Sequence, residues 1–120
     1  MTWLLVAIFG GLGATARYLL DRSIMHRLTT EFPVGTLVIN LSGALLLGIV
    51  VGLGTRGILS TDDSIAIGDG FIGAYTTFST LSFESLALAS EGSINLGALN
   101  MLGTIVLATL LAYLGIHLAH

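Results

Sequence analysis

The sequence predicts an all-α integral membrane protein with four transmembrane helices in a single domain spanning residues 1–120. Hydrophobic residues make up 54% of the chain and charged residues only 9%, whereas soluble domains carry about 25% charged residues. A bilayer core requires about 20 mostly apolar residues per helix, and four stretches of the chain meet this requirement. The polar segments between them are short, so no residues remain for a soluble domain.

The four predicted spans are Thr2–Leu20, Val34–Leu53, Ile65–Ala89 and Ile94–Leu118. No basic segment precedes the apolar run of the first span, so we expect a retained helix and not a cleaved signal peptide. The second span follows Pro33, which suits the first turn of a helix because proline lacks an N–H group. These spans predict a multi-pass protein of the cell (inner) membrane.

The third span differs from the others because it is crowded with glycine and hydroxyl residues, and residues 68–84 read GDGFIGAYTTFSTLSFE. Polar or non-helical backbone at membrane depth is tolerated only where it is buried in protein or lines a wet path. We therefore expect helix 3 to be broken in the middle of the membrane and to carry the function.

Composition excludes several classes of function. The chain has no cysteine, which excludes disulfides and thiolate metal sites. It has only four Lys and Arg residues, which provide no basic face for nucleic acid. No hydrolase motif, P-loop or cluster of metal ligands is present, so we expect no enzymatic activity. A channel, a transporter or a small structural membrane protein remains.

Polar residues in the predicted spans are the first candidates for a site. Asn40 lies four residues after Thr36, so both share one face of helix 2. This amide either forms an interhelical hydrogen bond or lines an anion path, and the sequence leaves both open. Asn100 and Thr104 form a similar polar row in helix 4. Glu84 is an intramembrane carboxylate and hence a functional candidate, with a hydrated interfacial position as the alternative.

Two further side chains have both a structural and a functional interpretation. Phe78 follows two threonines, and its ring edge would favour an anion, although most such rings only pack. Arg17 lies four residues before Asp21 near the end of helix 1. It either extends to the interface or contacts an anion.

The arginines give only a weak orientation bias, because Arg17, Arg22 and Arg27 lie on one side and Arg56 on the other. A chain with so weak a bias is able to insert both ways and to pair antiparallel. Four short helices do not easily enclose a polar pathway. The GxxxG motif at residues 48–52 favours close helix packing, so we expect a tight oligomer.

Three motifs stand out along the chain: GGLGATARYLL in helix 1, FPVGTLVINLSGALLLG in helix 2 and GFIGAYTTFSTLSFE in helix 3. Together they resemble those of the CrcB/Fluc fluoride channels, and the resemblance covers essentially the whole chain. It implies an antiparallel, dual-topology homodimer in the lipid bilayer, with two pores that export cytoplasmic fluoride by passive flow. It also implies a structural sodium ion (Na+) at the dimer centre, held by the carbonyls of Gly73 and Thr76.

By position, the resemblance also implies a set of pore and anion-binding residues: Arg17, Thr36, Asn40, Phe78, Ser79, Thr80, Leu81, Glu84, Asn100 and Thr104. At one of them the chain departs from the family, which usually has a second phenylalanine where this chain has Leu81. Phe83 does not replace it, because on a regular helix Phe83 is turned about 140° away from Phe78. We expect Leu81 to change throughput or anion affinity.

Two other functions fit a chain with four spans. One is a small multidrug-type, proton-coupled transporter, which depends on a carboxylate within helix 1. Residues 3–16 contain no carboxylate, which argues against this class. The other is a packing subunit without transport of its own.

Overall fold

The computed structural model describes residues 1–120 and is entirely helical. In chain order the elements are α1 (Thr2–His26), α2 (Val34–Thr55), α3 (Thr61–Ile65), the π-helical segment π1 (Ala66–Ile72), α4 (Gly73–Tyr75), α5 (Phe78–Ser90) and α6 (Ile94–Leu118). Three of them, α1, α2 and α6, are long and apolar enough to cross a membrane. The all-helical prediction is confirmed. The bounds of α6 are those predicted, whereas α1 continues past Leu20 to His26.

The third predicted span is not one long helix. The elements α3, π1 and α4 follow one another over residues 61–75, and the backbone is then extended at Thr76 and Thr77. Thr77 is the N-cap of α5, because its Oγ1 accepts a hydrogen bond from the Thr80 N–H at 3.2 Å. Neither piece alone has the length of a bilayer-spanning helix.

Glycines bring α2 and α6 into backbone contact, and this pair has the most extensive packing in the molecule. A Cβ added at Gly48 would overlap the Ala112 carbonyl, and one at Gly115 would overlap the backbone at Leu45 and Ile49. Small residues permit such an approach between helices in lipid. The GxxxG motif therefore holds two helices of one chain together.

Glycines also allow α1 and π1 to pack closely against each other. A Cβ at Gly13 would overlap the Phe71 carbonyl, and one at Gly70 would lie 3.1 Å from the Val6 carbonyl oxygen. π-helical turns are rare and often mark functional segments. Here the π-helical turn packs against α1 on one side, and the short helix α4 connects it to the extended residues Thr76 and Thr77.

We predict that Gly48→Ala lowers the thermal stability of the purified protein by several degrees, because the new methyl overlaps backbone that is not free to move aside. The matched control is Gly11→Ala in α1, where no atom lies within 4 Å of an added Cβ. There alanine should be neutral or stabilising, since it favours helix by about 1 kcal/mol over glycine. Equal melting temperatures for the two variants would contradict the packing described here.

Candidate functional site

Asn40 pairs with the backbone of Thr77, across 37 residues of sequence. Its Nδ2 donates to the Thr77 carbonyl at 3.0 Å, and its Oδ1 accepts from the Thr77 N–H at 2.8 Å. Both backbone groups of an extended residue are thus paired without a helix, as buried backbone requires. The interhelical hydrogen bond left open by the sequence is present. The role of Asn40 toward an anion stays a prediction.

This pairing frees carbonyl oxygens at the end of α4. In a continuous helix the Thr77 N–H would bond to the Gly73 carbonyl and the Thr80 N–H to the Thr76 carbonyl. Instead the Thr77 N–H bonds to Asn40 and the Thr80 N–H to the Thr77 hydroxyl. Gly73 is exposed and Thr76 is half-buried. The two carbonyls predicted as cation ligands are therefore both released from the helical ladder.

Asn40 and Thr77 also border a groove between α2, α5 and α6, which we call the Asn40 groove, with a volume of about 260 Å³. Its other lining residues are Gly43, Ala44, Leu47, Ile72, Thr76, Phe78, Leu81, Thr104, Ile105 and Ala108. Thr104 is only 3% exposed, and its Oγ1 has no hydrogen-bond partner. The groove thus combines an apolar wall with a buried, unpaired hydroxyl.

One turn before Thr104 on α6, Asn100 is fully buried and faces α5. Its Nδ2 donates to Ser85 Oγ at 2.9 Å, while its Oδ1 has no partner. The two ends of the amide are interchangeable here, because the Ser85 hydroxyl is able to accept from Nδ2 or to donate to Oδ1. In the flipped orientation Oδ1 accepts from Ser85, and Nδ2 takes the place where Oδ1 now has no partner. Sequence reasoning missed Ser85. Its position next to Glu84 in an otherwise apolar stretch was the available signal.

A second depression, the Arg17 cavity, has a volume of about 110 Å³ and is the more enclosed of the two. It is lined by Arg17, Tyr18, Asp21, Thr36, Ile39, Thr77 and Thr80. The Arg17 Nε is buried and has no hydrogen-bond partner. Thr77 lines both the cavity and the groove, so the Asn40–Thr77 pair forms the wall between them.

The aromatic side chains and Leu81 have different environments. Phe78 is 66% exposed beside the Asn40 groove, whereas Leu81 is 3% exposed and belongs to the core of the subunit. Phe83 is 73% exposed. It lines a separate depression together with Glu84. Leu81 is therefore part of the packed core, and within residues 68–84 the exposed rings are those of Phe78 and Phe83.

Most of the predicted site residues line either the Asn40 groove or the Arg17 cavity, and four line neither. The Asn40 groove collects Asn40, Thr76, Phe78, Leu81 and Thr104, and the Arg17 cavity collects Arg17, Thr36 and Thr80. Outside both lie Gly73, Ser79, Glu84 and Asn100. Sequence reasoning did not assign Thr77 or Asp21 to the site, although the i,i+4 spacing of Arg17 and Asp21 and the two threonines before Phe78 were available signals.

We predict that Asn40→Ala destabilises the protein by roughly 2–6 kcal/mol, because it leaves two backbone groups of Thr77 unpaired and each costs about 1–3 kcal/mol. Thermal unfolding of the purified protein measures this loss. The matched control is Thr109→Ala, whose exposed hydroxyl bonds only to the Ile105 carbonyl of its own helix. The assignment of Asn40 as a structural clamp is wrong if both substitutions have the same small effect.

Comparison with known proteins agrees with this architecture. The sequence profile of the CrcB family, described as "CrcB-like protein, Camphor Resistance (CrcB)", matches residues 4–116. A protein of Moorella thermoacetica named "Fluoride-specific ion channel FluC 2" is 43% identical over 115 residues, covering 96% of this chain and 93% of that protein. Another of that name, from Mycolicibacterium paratuberculosis, is 40% identical over 117 residues, covering 98% and 93%.

The "Fluoride-specific ion channel FluC" of Shewanella frigidimarina is 43% identical over 112 residues, covering 93% of this chain and 90% of that protein. All three relatives are named as ion channels and none as an enzyme, in agreement with the class expected from the sequence. The three apolar helices and these matches identify a multi-pass membrane protein and confirm the resemblance found in the motifs. The chain belongs to the CrcB family.

Proposed function

We propose that this chain forms a fluoride-selective channel through which cytoplasmic fluoride leaves the cell by passive flow. The names of its relatives support the ion and the mode of transport. The observation that carries the proposal for this chain is the buried Thr104 hydroxyl, which has no partner at the wall of the Asn40 groove. A buried, unpaired polar group costs about 1–3 kcal/mol, so its retention is explained if a passing ion is its partner.

Fluoride is small and strongly hydrated, so a pathway must replace its water with hydrogen-bond donors. The donors available here are the Thr104 hydroxyl on one side of the Asn40–Thr77 pair and the Arg17 Nε–H on the other. The Asn100 amide adds a donor when it is turned toward its unpaired side. Conduction also requires that the ion bind weakly enough to leave. A few donors spaced along the path meet this requirement better than a site that surrounds the ion completely.

A single subunit leaves this route open at the side, so we propose that a second copy closes it. The exposed Phe78 ring borders the Asn40 groove, and the non-helical backbone at Thr76 and Thr77 that lines this groove is tolerated at membrane depth only where protein or water covers it. The weak arginine bias allows the two copies to insert in opposite directions. The dimer would be antiparallel, with the break in helix 3 at the bilayer midplane and two pores.

The freed carbonyls of Gly73 and Thr76 fit a structural cation at the dimer centre. Two subunits would supply four carbonyl oxygens, a hard ligand set suited to a hard cation. Family resemblance suggests that the ion is Na+. When bound, the cation would supply positive potential near the pores without a charged side chain in the path. It would also satisfy oxygens that have lost their helical donors.

The first test is fluoride efflux from liposomes that contain the purified protein, measured with a fluoride electrode. We expect rapid efflux from the unsubstituted chain and a roughly tenfold or larger loss with Thr104→Val, since a hydrogen bond to a charged group is worth about 1.5–3 kcal/mol. Thr104→Val should not lower thermal stability, because it removes an unpaired hydroxyl and preserves shape. The matched control, Thr109→Val on the exposed face of α6, should conduct normally.

Two results would refute this assignment. No fluoride efflux from the unsubstituted chain would remove the channel function, and a packing subunit would remain. Normal efflux from folded Thr104→Val protein would remove Thr104 from the path while leaving the channel function intact.

The antiparallel arrangement has its own test, which uses the absence of cysteine in the chain. A single cysteine introduced at the exposed C-terminal residue, His120→Cys, is labelled in intact cells with a membrane-impermeant maleimide before and after permeabilisation. Dual topology predicts labelling of roughly half of the sites from outside. Labelling from only one side of the membrane would contradict an antiparallel homodimer.

A further inference from the structure

Asp21 is the one carboxylate that lines the Arg17 cavity. It lies one turn beyond Arg17 on α1, and both residues border the same space of about 110 Å³. Gly35, in the first turn of α2, makes room for it, because an added Cβ there would overlap the Asp21 Oδ1. The carboxylate is therefore held between α1 and α2, at the edge of the cavity and not in open solvent.

Arg17 and Asp21 do not neutralise each other through an ion pair, although their spacing would allow one on an exposed helix. The Arg17 Nε is buried without a partner. The cavity thus holds one unpaired positive group that attracts an anion, together with a carboxylate that repels it.

We propose that Asp21 weakens anion binding in the Arg17 cavity and so sets the concentration range over which the channel responds to fluoride. This inference rests on the proposed channel function. An anion in so small a cavity lies within about 7 Å of the carboxylate, where repulsion at a dielectric constant between about 40 and 80 changes occupancy about three- to tenfold. Such weakening favours release, since an ion bound too tightly beside Arg17 would leave slowly.

The alternative role for Asp21 is structural: it would hold Arg17 or the first turn of α2 in place. The two roles differ in the sign of their effect. A structural carboxylate, once neutralised, would lower efflux at every fluoride concentration. A repelling carboxylate, once neutralised, would move half-maximal efflux to lower fluoride and leave the protein folded.

The experiment compares Asp21→Asn with the unsubstituted chain in the liposome assay, over a series of internal fluoride concentrations. In about 0.1 M salt, the concentration for half-maximal efflux should fall about three- to tenfold. In about 1 M salt the difference should shrink only in part, because partly buried charges are screened much less than exposed ones. Asp21→Ser serves as a second neutral variant, and size-exclusion elution shows whether each protein is folded.

The matched control is Glu31→Gln. Glu31 is an exposed carboxylate in the α1–α2 connection that does not line the Arg17 cavity, so its neutralisation should leave half-maximal efflux unchanged. An equal shift in this control would overturn the proposal in favour of a general surface-charge effect. An unchanged or higher half-maximal concentration with Asp21→Asn would overturn it, as would failure of both neutral variants to fold. No efflux from the unsubstituted chain would instead refute the channel function on which it rests.

Discussion

The two hydrogen bonds between Asn40 and Thr77 are the interaction on which the rest of the site depends. A backbone that leaves the helical ladder within an apolar protein must find other partners, because an unpaired buried amide or carbonyl is costly. The Asn40 amide pairs with both the N–H and the carbonyl of Thr77. The same bonds withdraw the Thr77 N–H from the Gly73 carbonyl. The Thr77 hydroxyl then caps α5, which likewise frees the Thr76 carbonyl.

Glycines position this interaction by bringing backbones together. Gly13 and Gly70 let α1 approach the π-helical turn, and Gly48 and Gly115 let α6 approach α2. In lipid, where no hydrophobic effect drives helices together, such close van der Waals contact is a main source of association. Gly43 brings α2 against the break in the same way, because an added Cβ there would overlap the Thr76 side chain, and this contact helps to place Asn40 next to Thr77. The small residues are therefore part of the architecture of the site, although none of them lines the Arg17 cavity.

Unpaired polar groups lie on both sides of the Asn40–Thr77 wall. The Thr104 hydroxyl stands in the Asn40 groove, and the Arg17 Nε stands beside the Arg17 cavity. Native proteins keep few such groups, and here one borders each of the two spaces that Thr77 lines. Asp21 adds opposing charge on the arginine side only. A route across this partition would offer an anion a donor on each face, with repulsion at one end that prevents tight binding.

The sequence alone determined what depends on composition and local pattern. Runs of about 20 apolar residues predicted α1, α2 and α6, because bilayer thickness sets helix length, and the glycine and hydroxyl residues of residues 68–84 located the irregular segment. Motifs in three helices were enough to indicate the family.

Only the tertiary structure decided that Asn40 bonds to Thr77, since a partner 37 residues away leaves no periodic pattern in the sequence. Burial of Leu81 beside an exposed Phe78, and the packing of Asp21 against Gly35 of α2, likewise depend on how separate helices pack. Local spacing defines which residues share a helical face, but the neighbouring helices determine what that face meets.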